Sequence, residues 1–302
     1  MDGNARLLMA PMTSRITILD TISDPGNPAK PNDDSFGHND ACAFVIDGAT
    51  GLGDRQYMDE EGSDAAWIAQ HFARGFQDRI TRDSSVSEIA RSLSLAARTE
   101  FLAHNESVPR YAWPLTAFAM LHHTRDGFHF VGLGDSCLFL LQEDGSAAMH
   151  MAIPGAYEYE QNQARKHIAR TGGITKEGGA LGNSETLALL RQHRERQNTP
   201  ASGVWTLGLV PEAADHLVSE RLDIRRKAHA IVCSDGFSDL AVLYATYDST
   251  SLVRTALAKG LRPMLDELRR FERAIDPEGL RYPRYKQSDD TTALLVELTP
   301  SA

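Results

Sequence analysis

The sequence predicts an α+β domain built on antiparallel sheet with helices layered against it. Three observations carry that expectation. Apolar runs of strand length are joined by short turn sequences, as at Arg125-Asp126-Gly127 and Glu143-Asp144-Gly145, which suits hairpins. Two helical patterns follow one another after the first strand block, the arrangement of a helical layer on a sheet. The strand-and-crossover-helix rhythm of a Rossmann sheet is missing.

Taken in order, residues 1–13 read as a loose leader. Arg15 to Asp20 is a strand candidate on its β-branched residues, and Ser23 to Asp34 is loop on its Pro, Gly, Asn and Asp content. Ser35 to Gly37 leads into a turn at His38-Asn39-Asp40, and Ala41 to Ile46 is a buried strand. Residues 15–46 are expected to form neighbouring antiparallel strands. Ser63 is the N-cap of an amphipathic helix running to about residue 79, with Asp64 in its first turn and Trp67 and Phe76 in its apolar face. A second helix covers about 87–104. Strands at 114–122, 128–133, 137–141 and 147–151 read as a meander. Tyr157 to Arg170 and Thr186 to Arg196 are helical candidates within 153–203, a stretch expected to be an insertion or flap over one edge. Apolar segments at 204–210 and 228–233 follow, then helices from Phe237, near Thr250 and from Met264. A loop over 276–287 leads to a final strand from Thr292 to Leu298. No internal repeat or linker divides the chain, so 1–302 is expected to be one domain.

Composition narrows the function classes. The chain has 302 residues, 42% of them apolar, enough for a substantial core. Lys+Arg number 31 against Asp+Glu 41, a formal net charge of -10, which disfavours non-specific nucleic-acid binding. Cys42, Cys137 and Cys233 form no CxxC and read as buried free thiols of a reducing compartment. No apolar run approaches membrane-spanning length, and the N-terminal segment does not resemble a secretory signal. The expectation is a cytoplasmic protein with neither a nucleic-acid nor a membrane partner.

The acids are the informative feature. Ala43 to Ile46 ends at Asp47-Gly48. Val131-Gly132-Leu133-Gly134 ends at Asp135. Ala230 to Cys233 is followed by Ser234-Asp235, and Asp289-Asp290 precedes the last strand. A carboxylate at the end of one buried strand is ordinary turn chemistry. The repetition points to acids, with Asp33 and Asp34, converging on divalent cations. Crowded carboxylates alone would carry large pKa penalties, and a divalent cation removes them. All-oxygen donors favour Mg²⁺ or Mn²⁺ over zinc. Two such ions sharing a carboxylate can activate water for attack on phosphorus. Neither Ser136 nor Ser234 lies in a GxSxG elbow, and no P-loop is present. His71, His122 and His129 read as packing or surface residues.

The segments PNDDSFG at 31–37, VIDGATG at 45–51, PLTAFAM at 114–120, VGLGDSC at 131–137, CSDGFSD at 233–239 and SDDTT at 288–292 resemble, in type and order, the motifs of the PP2C-type (PPM) metal-dependent protein phosphatases. The resemblance spans roughly residues 15–298, apart from 153–203. It implies a four-layer αββα sandwich, two packed antiparallel sheets flanked by helices. It also implies hydrolysis of phosphoserine or phosphothreonine on proteins, using two Mg²⁺ or Mn²⁺ ions and in some members a third. Residue by residue, it implies that Asp33 and Asp34 lie beside the metals and hold their waters. Asp47 would bridge both ions, with Gly48 lending a carbonyl. Asp235 and Asp289 would each take one ion, and Asp135 would serve a third. The same fold used as a non-catalytic regulatory module, or on a small phosphorylated molecule, is the alternative.

The departures bear on substrate. The position where many members carry a phosphate-binding arginine is Ala29, with Lys30 beside it as a substitute. Asp33 stands where the family has glutamate, Asp290 where it usually has asparagine, Ala49 where many members have histidine, and Cys137 where arginine is usual. Lysine is a flexible point charge and no equivalent of a bidentate guanidinium fork.

Overall fold

The computed structural model describes residues 14–58, 62–104, 107–174 and 182–301. The leader and the Gly178-Gly179-Ala180-Leu181 stretch lie outside them. Eleven strands are described: β1 (Arg15–Asp24), β2 (Ser35–His38), β3 (Cys42–Gly48), β4 (Leu115–Thr124), β5 (Gly127–Leu133), β6 (Cys137–Leu141), β7 (Ala147–Met151), β8 (Leu207–Gly208), β9 (Val218–Leu222), β10 (Ala228–Cys233) and β11 (Thr291–Thr299). The helices are α1 (Asp64–Arg79), α2 (Val86–His104), α3 (Ala156–Thr171), α4 (Ser184–Arg196), α5 (Asp235–Val242), α6 (Ser249–Lys259) and α7 (Arg262–Arg270).

Two antiparallel sheets stack face to face. One has the order β1-β11-β10-β6-β7; the other has the order β2-β3-β4-β5-β9, with β8 added beside β4. The side-chain period of two explains why the strands read as continuous apolar runs rather than alternating ones. On β3, Ala43 and Val45 face the other sheet, while Cys42, Phe44 and Ile46 face α1 and α2. On β11, Leu294 and Val296 face inward between the sheets, and Ala293 and Leu295 face α5, α6 and α7. Both faces of the central strands are therefore buried, and the molecule has four layers, αββα. Trp67 and Phe76 are buried in the helix-facing core, Phe76 against Phe44 and Phe118. The three cysteines are free and buried.

Two expectations about pairing need correction. Residues 15–24 do not lie beside 42–48; β1 pairs along its length with β11, from Arg15 opposite Thr299 to Asp24 opposite Thr291. The stretch 35–38, read as the approach to a turn, is a strand that pairs with β3. The meander is also divided: β4 and β5 belong to one sheet and β6 and β7 to the other, with the crossing at Gly134-Asp135-Ser136. Short turns and apolar runs specify hairpins, but they do not reveal where a chain changes sheets when both sheets have equally apolar faces.

Candidate metal centre

Register alone brings the acids to one end of the sandwich. Ser35 lies opposite Ile46, so Asp33 and Asp34, just before β2, adjoin Asp47 at the end of β3. Gly48 lies opposite Thr116, and Leu133 opposite Phe118, which brings the β5–β6 crossing and Asp135 to the same edge. Cys233 pairs with both Cys137 and Ala293, which sets Asp235 beside Asp135 and beside Asp289 and Asp290 at the start of β11. Rigid strands place the acids, and loops complete the site.

Two glycines allow the close approaches this requires. A Cβ on Gly48 would lie 2.2 Å from the Asp33 carbonyl oxygen, and one on Gly236 would lie 2.2 Å from the Asp290 carbonyl oxygen. The 31–34 loop thus crosses directly over the Asp47-Gly48 backbone, and the start of β11 crosses over the first turn of α5.

Hydrogen bonds then fix the acids individually. Ser63 Oγ accepts from the Ala66 N–H at 2.9 Å, capping α1, and donates to Asp33 Oδ1. Ser234 Oγ donates to Asp34 Oδ2 at 2.8 Å and accepts from the Thr292 N–H at 3.0 Å. The Asp235 N–H points at Asp47 Oδ2, 3.4 Å away. Asp290 accepts from the Gly26 N–H (2.9 Å) and the Asp33 N–H (2.8 Å), one bond to each carboxylate oxygen. Asp290 is thereby a clamp on the 25–34 loop.

The acids crowd one another. Burial, then Asp34, Asp135 and Asp289, hold Asp47 well above the usual carboxylate range. Burial, then Asp47, Asp289, Asp135 and Glu160, do the same to Asp235. Asp34 is pushed up to about 8, first by burial and then by Asp290. Burial takes Asp33 to about 6 against the Ser63 hydrogen bond. Asp135 is raised by burial and by Asp289. So many neighbouring carboxyls with raised pKa values make this a candidate functional site.

Glu160 was missed by sequence reasoning. It lies on α3, and its carboxylate, with those of Asp135 and Asp235, forms a group whose ligand atoms all lie within 4.8 Å of one another. Glu160 is exposed as a residue, yet desolvation, then Asp135 and Asp289, push its carboxyl up to about 7. The available signal was spacing: Tyr157, Ala164 and Ile168 form the buried stripe of α3, and Glu160 falls on it. Asp239 on α5 extends the cluster; burial and then Glu160 and Asp289 raise it well above the usual range.

The 153–203 stretch reaches across this end of the molecule. Tyr157 Oη donates to the Asp135 carbonyl at 3.1 Å and lies 2.7 Å from Ser238 Oγ. Gln161 donates to the Val242 carbonyl at 2.9 Å. On the other side, Arg191 of α4 donates to the Leu52 carbonyl at 2.8 Å and pairs with Asp54.

Lys30 is exposed, and among the described residues it makes no ion pair with these acids. The cation found there is Lys286, whose Nζ lies 2.5 Å from Asp289 Oδ1. Against burial, which lowers it, the charge and hydrogen bond of Asp289 and the charges of Asp235 and Asp290 raise its pKa above the ordinary lysine value.

The donor set suits a hard divalent cation. The clustered groups are carboxylates from separate strands and helices, and neighbouring Cys233 is a buried thiol whose pKa burial raises well above the usual value. Oxygen donors without thiolate or imidazole are the ligands of Mg²⁺, Mn²⁺ or Ca²⁺.

No protein-family model matches the chain, and no curated protein sequence matches it. Solved structures do. The catalytic domain of the serine/threonine protein phosphatase PstP in complex with two manganese ions aligns with a TM-score of 0.51 at 16% identity, covering 95% of this chain and 100% of that one. The Mycobacterium tuberculosis serine/threonine phosphatase PstP/Ppp aligns with a TM-score of 0.51 at 15% identity, covering 96% and 100%. The layers, sheets and coverage agree with the sandwich that the sequence motifs implied. The chain has the fold of the PP2C-type, metal-dependent protein phosphatases.

Proposed function

We propose that the protein is a metal-dependent phosphomonoesterase that acts on phosphoserine and phosphothreonine in proteins. The observation that supports this most is the gathering of acids distant in sequence at one end of a rigid sandwich: Asp33, Asp34, Asp47, Asp135 and Asp235, all with raised pKa values, beside Asp289, whose charge helps raise them. Among the described residues no Ser-His pair adjoins these crowded acids, which suits attack by water rather than by a side chain. The serine/threonine protein phosphatase PstP, whose catalytic domain is in complex with two manganese ions, is consistent with it.

In this reading Asp47, the Gly48 carbonyl, Asp235 and Asp289 would hold two divalent cations, and Asp135 with Glu160 and Asp235 would offer a further position. When bound, the cations supply a nucleophile active at neutral pH and offset negative charge on the phosphoryl oxygens. The protein groups around them set orientation. Ser63 holds the Asp33 carboxylate, and Ser234 holds that of Asp34, so both can accept hydrogen bonds from water at the centre. Asp290, by clamping Gly26 and Asp33, keeps the 25–34 loop over the site. Tyr157 ties α3, and Glu160 with it, to the Asp135 turn.

Hydrolysis of p-nitrophenyl phosphate with added Mn²⁺ tests the proposal. The wild type is expected to turn over, EDTA to abolish turnover, and Asp47→Asn or Asp235→Asn to lower kcat/KM by about a thousandfold or more, the scale of several kcal/mol of lost charge stabilisation. A wild type as inert as these variants across pH and metal would overturn it.

A further inference from the structure

We propose that Lys286 is the protein cation that holds the substrate phosphoryl group, in place of the guanidinium missing at Ala29. The assignment rests on the phosphatase reading above and names a substrate-anchoring residue for that site. A phosphomonoester entering this cluster meets carboxylates on several sides and needs a protein-borne positive charge. Among the described residues, Lys286 is the lysine or arginine ion-paired with a site acid, through Asp289. Its charge also lowers the pKa values of Asp33 and Glu160, so it is close enough to act on both.

The loop that carries Lys286 is built to hold it still. Asp276 accepts from the N–H groups of Leu280 (2.9 Å), Arg281 (3.2 Å) and Tyr282 (2.8 Å). Arg284 donates to the carbonyls of Glu272 (3.1 Å), Asp276 (2.5 Å), Tyr282 (3.0 Å) and Gln287 (3.0 Å). Tyr285 packs on His167 of α3, ring centroids 5.5 Å apart. The residues before and after Lys286 are thus fixed, while among the described residues its ammonium makes one ion pair, with the site acid Asp289. An ammonium has three donors, so one pair with Asp289 leaves capacity for phosphoryl oxygens. A cation held by Asp289 would draw on the same carboxylate charge, which would leave the Lys286 ammonium available to the substrate. Lys30, the candidate suggested by sequence position, is exposed and among the described residues makes no ion pair with a site acid.

The test is calorimetric titration of the Mn²⁺-loaded full chain with inorganic phosphate, for wild type, Lys286→Met and Lys286→Arg, alongside titration of each with Mn²⁺. Lys286→Met is expected to weaken phosphate binding by about tenfold or more, and Lys286→Arg to restore most of it. Mn²⁺ affinity should stay equal or tighten, because removing the ammonium frees Asp289. In turnover of p-nitrophenyl phosphate the loss should fall mainly on KM. Unchanged phosphate affinity in Lys286→Met would overturn the assignment. So would a loss of Mn²⁺ affinity that accounts for the lost phosphate, since Lys286 would then be a structural counter-ion. Phosphate binding is read without turnover, which separates the two proposals. An inert wild type whose phosphate binding still depends on Lys286 would sink the hydrolase reading and leave Lys286 as a phosphate-binding residue only; an active wild type indifferent to Lys286 would keep the hydrolase reading and overturn the assignment.

Discussion

Ser63 joins secondary structure to chemistry through one hydroxyl. It caps α1 and holds Asp33, so the start of a helix and the orientation of a site acid depend on the same atom. Ser63→Ala is expected to cost about 1–2 kcal/mol in urea unfolding, the range for a lost N-cap and a lost hydrogen bond to a charged group. It should also raise the Asp33 pKa further, because that hydrogen bond favours the ionised carboxylate. An unchanged unfolding midpoint would show that the cap carries no weight. Gly48 is a different kind of constraint. With the Asp33 carbonyl where a Cβ would be, Gly48→Ala must move the 31–34 loop or fail to fold. The expected result is destabilisation by about 1–3 kcal/mol, the usual cost of overpacking, read as a lower thermal midpoint.

At the scale of elements, α3 does more than cover an edge. Tyr157 is buried, and its hydroxyl bridges the β5–β6 turn and α5. Tyr157→Phe keeps the ring and removes the bridge, so stability should fall by about 1 kcal/mol. If α3 also positions Glu160 for a cation, the variant should bind the weakest-held Mn²⁺ less tightly; unchanged Mn²⁺ binding would confine Tyr157 to a packing role. Much of this level was legible in the sequence. Ser63 as a cap, the helix over 64–79 and the strands ending at Asp47 and Cys233 follow from local patterns that burial reinforces. The partners of β1 were not legible, because β11 lies far along the chain and no local pattern encodes a long-range pairing. Glu160 was hidden for a related reason. Its partners Asp135 and Asp235 sit on other elements, and a single acid on a polar helix matches no motif. Lys286 escaped notice because its loop reads as surface until Asp276 and Arg284 are seen to lock it.

Across the whole molecule, the acid cluster makes stability depend on pH and on metal. Asp33, Asp34 and Glu160 have folded-state pKa values of about 6, 8 and 7, all above ordinary carboxylate values. The native state therefore holds more protons than the unfolded chain between about pH 4 and pH 8. Stability of the metal-free protein must fall as pH rises through that window. The thermal midpoint in EDTA should drop from pH 5 to pH 8, and Mn²⁺ should flatten the slope by neutralising the carboxylates; a metal-free midpoint that rises over the same range would contradict the crowding. The central claim is that these acids together form a site for hard divalent cations, and titration of the metal-free chain with Mn²⁺ by calorimetry at pH 7.5 tests it most directly. The account predicts at least two Mn²⁺ per chain, with Asp47→Asn abolishing the tighter binding; a folded wild type that takes up no Mn²⁺, or an Asp47→Asn variant that binds it equally well, would contradict it.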